Sequence, residues 1–205
     1  ALRQVTPYYN KASQEGLVRH FTQVADHVSI PILLYNVPSR TGVTIQPETY
    51  RILSEHPNIR GTKEASGNLS LIARTAALCG QGFDIYSGND DQTVPIMSLG
   101  GKGVVSVLAN IMPKETHKMC RLYLDGDVKE SRRMQLQLLE IMEALFWDVN
   151  PIPVKTALGL MGVCGDDLRL PLTPMEPEQR ERLAEVMKRQ GISLKKELHN
   201  QTNLL

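Results

Sequence analysis

Five short strand-like runs, each separated from the next by a helical stretch, constrain the fold more than any other feature of this sequence. The runs end near Thr6, Tyr35, Thr62, Tyr86 and Val107, and the intervals between these ends shrink from 29 to 21 residues. A strand with its crossover helix occupies about 30 residues. Strands that alternate with helices in this way form a parallel sheet. The sequence therefore predicts an α/β protein.

Strand signals stop after the fifth run, and the rest of the chain is predicted to be helical. Apolar residues at helical spacing predict helices over 13–29, 47–56, 69–80, 92–99, 114–124, 128–147, 151–161 and 178–189. Ser13 suits an N-cap and Gly80 a C-cap. Ile52 and Leu136 are expected on buried helix faces. The predicted division is a partial (β/α) barrel over 1–110, a C-terminal helical extension over 111–194 and a flexible tail over 195–205.

A parallel sheet followed by helices allows two architectures, an open doubly wound sheet or a barrel. No GxGxxG follows the first strand, and the glycine-rich run at 100–103 precedes a strand without opening a helix. Tyr9, Tyr35, Lys63 and Gly88 fall at the ends of different strands, which favours the barrel. Against a closed barrel, five strands are fewer than the eight that closure needs.

Composition limits the kinds of partner and compartment. A net charge of +1, with no basic block, argues against nucleic acid or an anionic membrane as the main partner. No apolar run is long enough to span a bilayer, and no signal peptide is visible. The three cysteines are far apart without a CxxC, which indicates reduced thiols in a cytoplasmic compartment. The five histidines show no metal-ligand spacing.

Lys63 stands at the carboxyl end of the third predicted strand, directly before a loop of turn-forming residues. Chemistry in α/β folds is usually built at that end of the strands. A lysine there can be a solvated, salt-bridged side chain, which its residue type alone favours, or a nucleophile that forms a Schiff base. Glu64 is predicted to point away from Lys63, because adjacent strand residues face opposite sides. Asp90 and Asp91 suit a helix N-cap as well as a site.

Four motifs bear on this choice, and they occur in a fixed order. They are TPYYN at 6–10, YNVPSRTG at 35–42, GTKEASGN at 61–68 and SGND at 87–90. Together they resemble the dihydrodipicolinate synthase family of class I pyruvate aldolase-type enzymes, over residues 5 to about 191. The resemblance implies the last five units of a (β/α)₈ barrel with a C-terminal helical extension, in a homotetramer built from tight dimers. It also implies condensation of pyruvate with L-aspartate-4-semialdehyde in lysine biosynthesis, with no cofactor beyond an imine on Lys63.

The resemblance assigns three side chains to the chemistry. Lys63 is implied to form the imine with pyruvate, and burial would supply the neutral amine that the reaction needs. Tyr35 is implied to be the proton shuttle beside the imine. Arg40 is implied to bind the carboxylate of the incoming aldehyde, since a guanidinium grips a carboxylate with a bidentate fork.

The resemblance also assigns residues around these three. Tyr9 is implied to reach across a dimer interface into the neighbouring subunit's site, and Tyr8 to lie near an interface where lysine binds as a feedback inhibitor. Main-chain groups of Gly88 and Val105 are implied to line the pyruvate site. Judged by residue type alone, without the motif, a surface pair is the favoured interpretation of the two tyrosines.

The sequence departs from the family at its start. The family's first three strands would precede Ala1, and Leu2, Arg3 and Gln4 are more polar than a central barrel strand should be. Two alternatives therefore stay open. One is another Schiff-base pyruvate lyase, acting on N-acetylneuraminate or a sugar acid, which Arg40 disfavours. The other is a catalytically inactive remnant that acts only by associating with itself or with a partner chain.

Overall fold

A five-stranded sheet forms the centre of the computed structural model, which describes residues 1–195. All five strands are parallel and lie side by side in chain order. They are β1 (Leu2–Val5), β2 (Ile32–Asn36), β3 (Ile59–Glu64), β4 (Asp84–Ser87) and β5 (Gly103–Val104). The predicted parallel sheet is therefore confirmed. Except for Lys195, the predicted tail lies outside the described residues.

Helices connect the strands and also follow the last of them. They are α1 (Gln14–Asp26), α2 (Pro38–Thr41), α3 (Pro47–Ser54), α4 (Leu69–Cys79), α5 (Thr93–Ser98), α6 (Pro113–Leu124), α7 (Val128–Gln137), α8 (Leu139–Ala144), α9 (Ile152–Leu160) and α10 (Pro177–Arg189). The Ser13 hydroxyl accepts the Gly16 N–H at 3.2 Å, which confirms the predicted N-cap. Among residues 1–195 we find no helix with the length and apolarity that crossing a membrane demands.

The chain divides into two compact units. One contains Ala1–Ser106 with Thr116–Gln135, and the other contains Val107–Glu115 with the chain from Leu136 onward. In the second unit, α10 packs on α8 and α9 and buries Leu183, Val186 and Met187.

The core of the first unit lies on one face of the sheet, against α1, α3 and α4. Its fully buried side chains include Leu17, Phe21, Ile32, Leu34, Tyr50, Leu53, Ile59 and Ile72. Alternate strand residues point to the other face. There Val5, Leu33 and Tyr35 are only half-buried. This second face is therefore less covered than the core face, although strands of a parallel sheet are normally covered on both sides.

Three predictions about the helices and strands are wrong, each for a local reason. The fifth strand has two residues and not five, because the chain turns into a 3₁₀ helix at Leu108–Asn110 soon after Gly103–Val104. The predicted helix over 128–147 is two helices, α7 and α8. Ile52 is 45% exposed, because α3 buries Tyr50 and Leu53 on its other side.

The helical period also predicted wrongly that Leu136 is buried. Leu136 is 64% exposed, while its neighbour Gln135 is buried. The Gln135 side chain accepts the Val94 N–H and donates to the Asp90 carbonyl, each at 3.1 Å. These two main-chain partners fix the turn that begins α5. A polar residue therefore takes the buried position that the apolar pattern assigned to Leu136.

Candidate active site

Lys63 and Tyr35 lie side by side on neighbouring strands. The parallel register of β2 and β3 pairs Tyr35 with Lys63, and both project from the sheet face opposite the core. The Lys63 Nζ lies 4.5 Å from the centroid of the Tyr35 ring. Lys63 is 9% exposed. The structure thus brings together the lysine and the tyrosine that the sequence selected.

The surroundings of Lys63 shift its amine toward the neutral form. No carboxylate lies within ion-pair distance of its amine among residues 1–195. Burial lowers the pKa of Lys63, and the guanidinium charges of Arg3 and Arg40 lower it further, while Asp90 acts in the opposite direction. A lysine with a lowered pKa carries a larger fraction of the unprotonated amine, which is the nucleophile.

Gly88 provides the clearance that the Lys63 side chain needs. A Cβ built at position 88 would lie 2.6 Å from the Ala65 Cβ and 3.0 Å from the Lys63 Cε, so a larger residue would clash with Ala65 and press on the lysine side chain. The Gly88 N–H donates to the Glu64 carbonyl at 2.7 Å, and the Val105 N–H donates to the Ser87 carbonyl at 2.8 Å. Both N–H groups are thus engaged within the fold. Gly88 and Val105 can therefore offer a ligand only their carbonyl oxygens.

A pocket of about 460 Å³ opens beside Tyr35 on the same face of the sheet. Its lining residues are Arg3, Val5, Tyr8, Tyr35, Val37, Arg40 and Thr41. Arg40 reaches the pocket from α2, a single turn that Pro38 begins and Gly42 ends in a left-handed conformation with φ of 70°. Arg40 therefore follows Tyr35 by a short stretch of chain, and both side chains line the same pocket.

Tyr9 does not line this pocket. Its side chain is 89% exposed, and its hydroxyl has no hydrogen-bond partner among residues 1–195. The Tyr9 backbone has a φ of 70°, in the left-handed region that a tyrosine adopts only at a cost of about 1–2 kcal/mol. The role of Tyr9 across an interface stays a prediction.

A buried polar cluster that was not predicted from the sequence lies on the core side of the same strands. The Glu64 carboxylate accepts the Asn36 amide at 3.1 Å, the Tyr50 hydroxyl at 2.8 Å and the Ser66 N–H at 2.8 Å. The Asn36 carbonyl oxygen accepts the Ile45 N–H at 3.1 Å. Glu64 faces away from Lys63, as predicted. The signal that could have found the cluster is a pair of polar residues, Asn36 and Glu64, at core-facing positions of two adjacent strands.

This cluster ties the segment that carries Lys63 to its neighbours. Burial raises the pKa of Glu64, while its hydrogen bonds to Ser66, Asn36 and Tyr50 lower it. Burial also raises the pKa of Tyr50 well above its usual value, and the nearby Glu64 charge raises it further. Through Ser66, Glu64 holds the loop that follows β3, and through Asn36 it is linked to the chain at Ile45. Glu64 is therefore a positioning residue for the end of β3.

Replacing Glu64 with alanine should lower the free energy of unfolding by about 3–5 kcal/mol, because two buried donors and one partly buried donor would lose their acceptor. Chemical denaturation monitored by circular dichroism measures the change. The matched control is Glu48→Ala, which removes an exposed ion pair with Arg74 at 2.8 Å and should cost less than about 1 kcal/mol. Equal losses in the two variants would contradict this role for Glu64.

Asp90 is a second residue that the sequence left undecided between a cap and a site. It is buried at the start of a 3₁₀ turn, Asp90–Gln92, and its carboxylate accepts a hydrogen bond from the Ser106 hydroxyl. Its main-chain carbonyl accepts the Thr93 hydroxyl at 2.9 Å. Its charge opposes the lowering of the Lys63 pKa, so the carboxylate belongs to the electrostatic surroundings of the amine.

The fold and the site together define a class of protein. A buried lysine at the carboxyl end of a strand, beside a tyrosine on the next strand of a parallel sheet, is the arrangement of (β/α) barrel proteins whose reactive groups sit at strand ends. The sequence profile of the Dihydrodipicolinate synthetase family matches residues 1–190. The chain belongs to that family.

Relatives and solved structures agree with this assignment. The chain is 54% identical to the 4-hydroxy-tetrahydrodipicolinate synthase of Caldicellulosiruptor bescii over 194 residues, which is 95% of this chain and 65% of the relative. It therefore spans about two thirds of the length of that protein. The crystal structure of dihydrodipicolinate synthase from Aquifex aeolicus superposes with a TM-score of 0.91 at 44% identity, over 94% of this chain and 66% of the other.

A further solved structure is the Acinetobacter baumannii dihydrodipicolinate synthase in complex with pyruvate. It has a TM-score of 0.91 at 39% identity and covers 93% of this chain and 66% of that protein. These likenesses confirm the predicted fold class, an α/β chain with five units of a (β/α) barrel and a helical C-terminal part. The predicted boundaries at residues 110 and 194 stay predictions.

Proposed function

We propose that this chain carries the site of a 4-hydroxy-tetrahydrodipicolinate synthase, in which Lys63 forms an imine with pyruvate. The imine then condenses with L-aspartate-4-semialdehyde in lysine biosynthesis. The observation that carries the proposal is the buried Lys63 amine, which has no carboxylate partner among the described residues and lies 4.5 Å from the Tyr35 ring. The names of the relatives and the pyruvate complex of the A. baumannii protein support this choice of substrates.

The residues present supply the steps of imine formation. The neutral Lys63 amine attacks the ketone carbon of pyruvate, and loss of water leaves the carbon–nitrogen double bond. Removal of a methyl proton gives the enamine, whose carbon attacks the aldehyde. The Tyr35 hydroxyl has no hydrogen-bond partner among residues 1–195, so it is open to relay these protons. The carbonyl oxygens of Gly88 and Val105 are open to contact the bound pyruvate.

Tyr9 and the assembly belong to the same proposal. An exposed tyrosine held in a left-handed conformation suits a side chain that completes the site of a neighbouring copy. We therefore propose a homo-oligomer in which Tyr9 of one chain enters the site of another, with pyruvate and the aldehyde as small-molecule substrates and neither nucleic acid nor a membrane as partner.

The test uses the purified chain, pyruvate and borohydride, which reduces an imine to a stable secondary amine. The intact mass should increase by one reduced pyruvate, and aldehyde added without borohydride should be consumed together with pyruvate. The absence of any mass increase would overturn the proposal. Faster cleavage of N-acetylneuraminate than consumption of the aldehyde would instead favour the sugar-acid lyase.

Replacing Arg40 with alanine should weaken use of the aldehyde by about 2–5 kcal/mol in kcat/KM, the scale for losing one side of a desolvated charge pair. Reductive trapping of pyruvate should survive, since Arg40 is expected to bind the second substrate. Steady-state kinetics and intact mass measure the two effects. Arg19→Ala, which removes an exposed arginine of α1, is the matched control. If both steps fail equally in the Arg40 variant, the residue is structural.

A further inference from the structure

Arg3 stands out on β1 because its side chain belongs to the pocket. It is exposed on a strand at the edge of the described sheet, where a charged residue commonly serves only to keep the edge in solvent. In this chain Arg3 lines the same pocket as Tyr35 and Arg40. Its guanidinium carbon lies 5.5 Å from the centroid of the Tyr35 ring. The side chains of Arg3 and Lys63 thus both lie over the Tyr35 ring.

The register of the strands explains why Arg3 faces the pocket. Arg3 pairs with Leu33 and Val5 pairs with Tyr35, and residues two apart on a strand share a face. Arg3 therefore projects from the open face of the sheet, on which Tyr35 and Lys63 lie. No carboxylate among residues 1–195 forms an ion pair with Arg3. Its guanidinium donors remain available to a ligand.

The pocket is electropositive. Arg3 and Arg40 supply two guanidinium groups to the lining of the pocket, and the charges of both reach the Lys63 amine beside it. The Asp90 carboxylate acts on the Lys63 pKa in the opposite direction. A guanidinium binds a carboxylate through two parallel hydrogen bonds, so two guanidiniums in one pocket suit an anion with two carboxylates.

We propose that Arg3 is a second carboxylate-binding residue of this pocket, and that Arg3 and Arg40 together bind small dicarboxylates beside Lys63. Binding needs no imine, so it can be measured apart from the proposed reaction. The consequence for catalysis, that the pocket holds two substrate carboxylates at the same time, rests on the proposed function. The family pattern does not assign Arg3, because a polar residue at this strand position is a departure from it.

Isothermal titration with glutarate and butyrate tests the proposal, since the two have similar chains and neither has a ketone. The chain should bind glutarate about tenfold or more tightly than butyrate at low ionic strength, and added salt should reduce the difference. Arg3→Leu should remove that preference and leave butyrate binding unchanged. Arg60→Leu, which removes an exposed arginine of β3 outside the pocket, should keep the preference.

Circular dichroism and thermal melting show whether the Arg3→Leu variant folds. If that variant does not fold, Arg3→Gln, which keeps a polar side chain without the charge, is used in its place. The proposal is overturned if the unaltered chain shows no preference for glutarate, or if the folded Arg3 variant keeps that preference. The Lys63→Ala chain should still prefer glutarate. That result separates the two ideas, because failure of pyruvate trapping removes the proposed reaction and leaves the Arg3 site standing.

Discussion

Replacing Lys63 with alanine should abolish reductive trapping of pyruvate, with labelling reduced to the background of the protein without borohydride. The reason lies in the surroundings of the amine. Lys63 is buried, its pKa is lowered, and Tyr35 lies next to it to move protons. The other lysines among residues 1–195 lack this combination. Lys102 is exposed, and the Lys155 Nζ donates to the Asp167 carbonyl at 2.7 Å.

Peptide mapping of the labelled chain should place the adduct on Lys63. Lys102→Ala and Lys155→Ala are the matched controls, and both should label as the unaltered chain does. Labelling should fall at low pH, where the amine is protonated. As the pH rises, Lys63 should become labelled at a lower pH than an ordinary exposed lysine, because the pKa of Lys63 is lowered. Persistent labelling of the alanine variant, or an adduct on Lys102 or Lys155, would remove Lys63 from the reaction.

The arrangement of the site followed from the sequence where it depends on strand order. The family resemblance implied that Tyr35 lies beside Lys63. This agrees with strand order, because consecutive parallel strands place their carboxyl ends next to each other, and the register pairs the two residues directly. Arg40 follows the Tyr35 strand by one short loop, and it lies in the same pocket. The first of these arrangements follows from the order of neighbouring strands, and the second follows from the short loop between Tyr35 and Arg40.

Other features could not be predicted, because they depend on partners far away in the chain. Gln135 is buried since it bonds to the Val94 N–H, 41 residues earlier. The Asp90 carboxylate accepts a hydrogen bond from the hydroxyl of Ser106, which lies beyond the next strand. A single polar residue in an apolar pattern gives no indication of which distant group will satisfy it. The apolar period therefore misplaced Leu136 and left Asp90 undecided.

The alternation of β3 explains how the site can be both reactive and stable. Lys63 faces the open side of the sheet, and Glu64 faces the core, where Tyr50 and Asn36 bind its carboxylate. Because neighbouring residues on a strand point in opposite directions, the hydrogen bonds that fix the strand end do not engage the reactive amine. The positioning cluster can thus hold the lysine in place without pairing with its charge.

A chain that carries three further βα units before Ala1 should turn over faster by about 10²-fold or more, the scale of a positioned proton relay, and should melt at a higher temperature. Closure of a (β/α)₈ barrel takes eight strands, and the described sheet has five, with β1 and β5 at its edges. The C. bescii relative is longer, since this chain spans 65% of it.

The reason for the stability gain lies on the open face of the sheet. Val5, Leu33 and Tyr35 are half-buried there, and facing side chains would cover them. Each large core residue left without its neighbours costs on the order of 2–5 kcal/mol. Unpaired strand edges add a tendency to associate. Because the total free energy of unfolding of a domain is about 5–15 kcal/mol, covering a few such residues changes it substantially.

The reason for the gain in turnover lies at Tyr35. Its hydroxyl has no hydrogen-bond partner among residues 1–195, so the groups that complete a proton relay through it would have to come from the added units. Steady-state turnover and thermal melting compare the two chains, and a chain with a scrambled segment of the same length is the control. Imine trapping should change less than condensation, because Lys63 is already buried by its own strand neighbours. Equal turnover with and without the added units would show that five strands suffice to build a working site. The proton relay would then not depend on groups outside the described sheet.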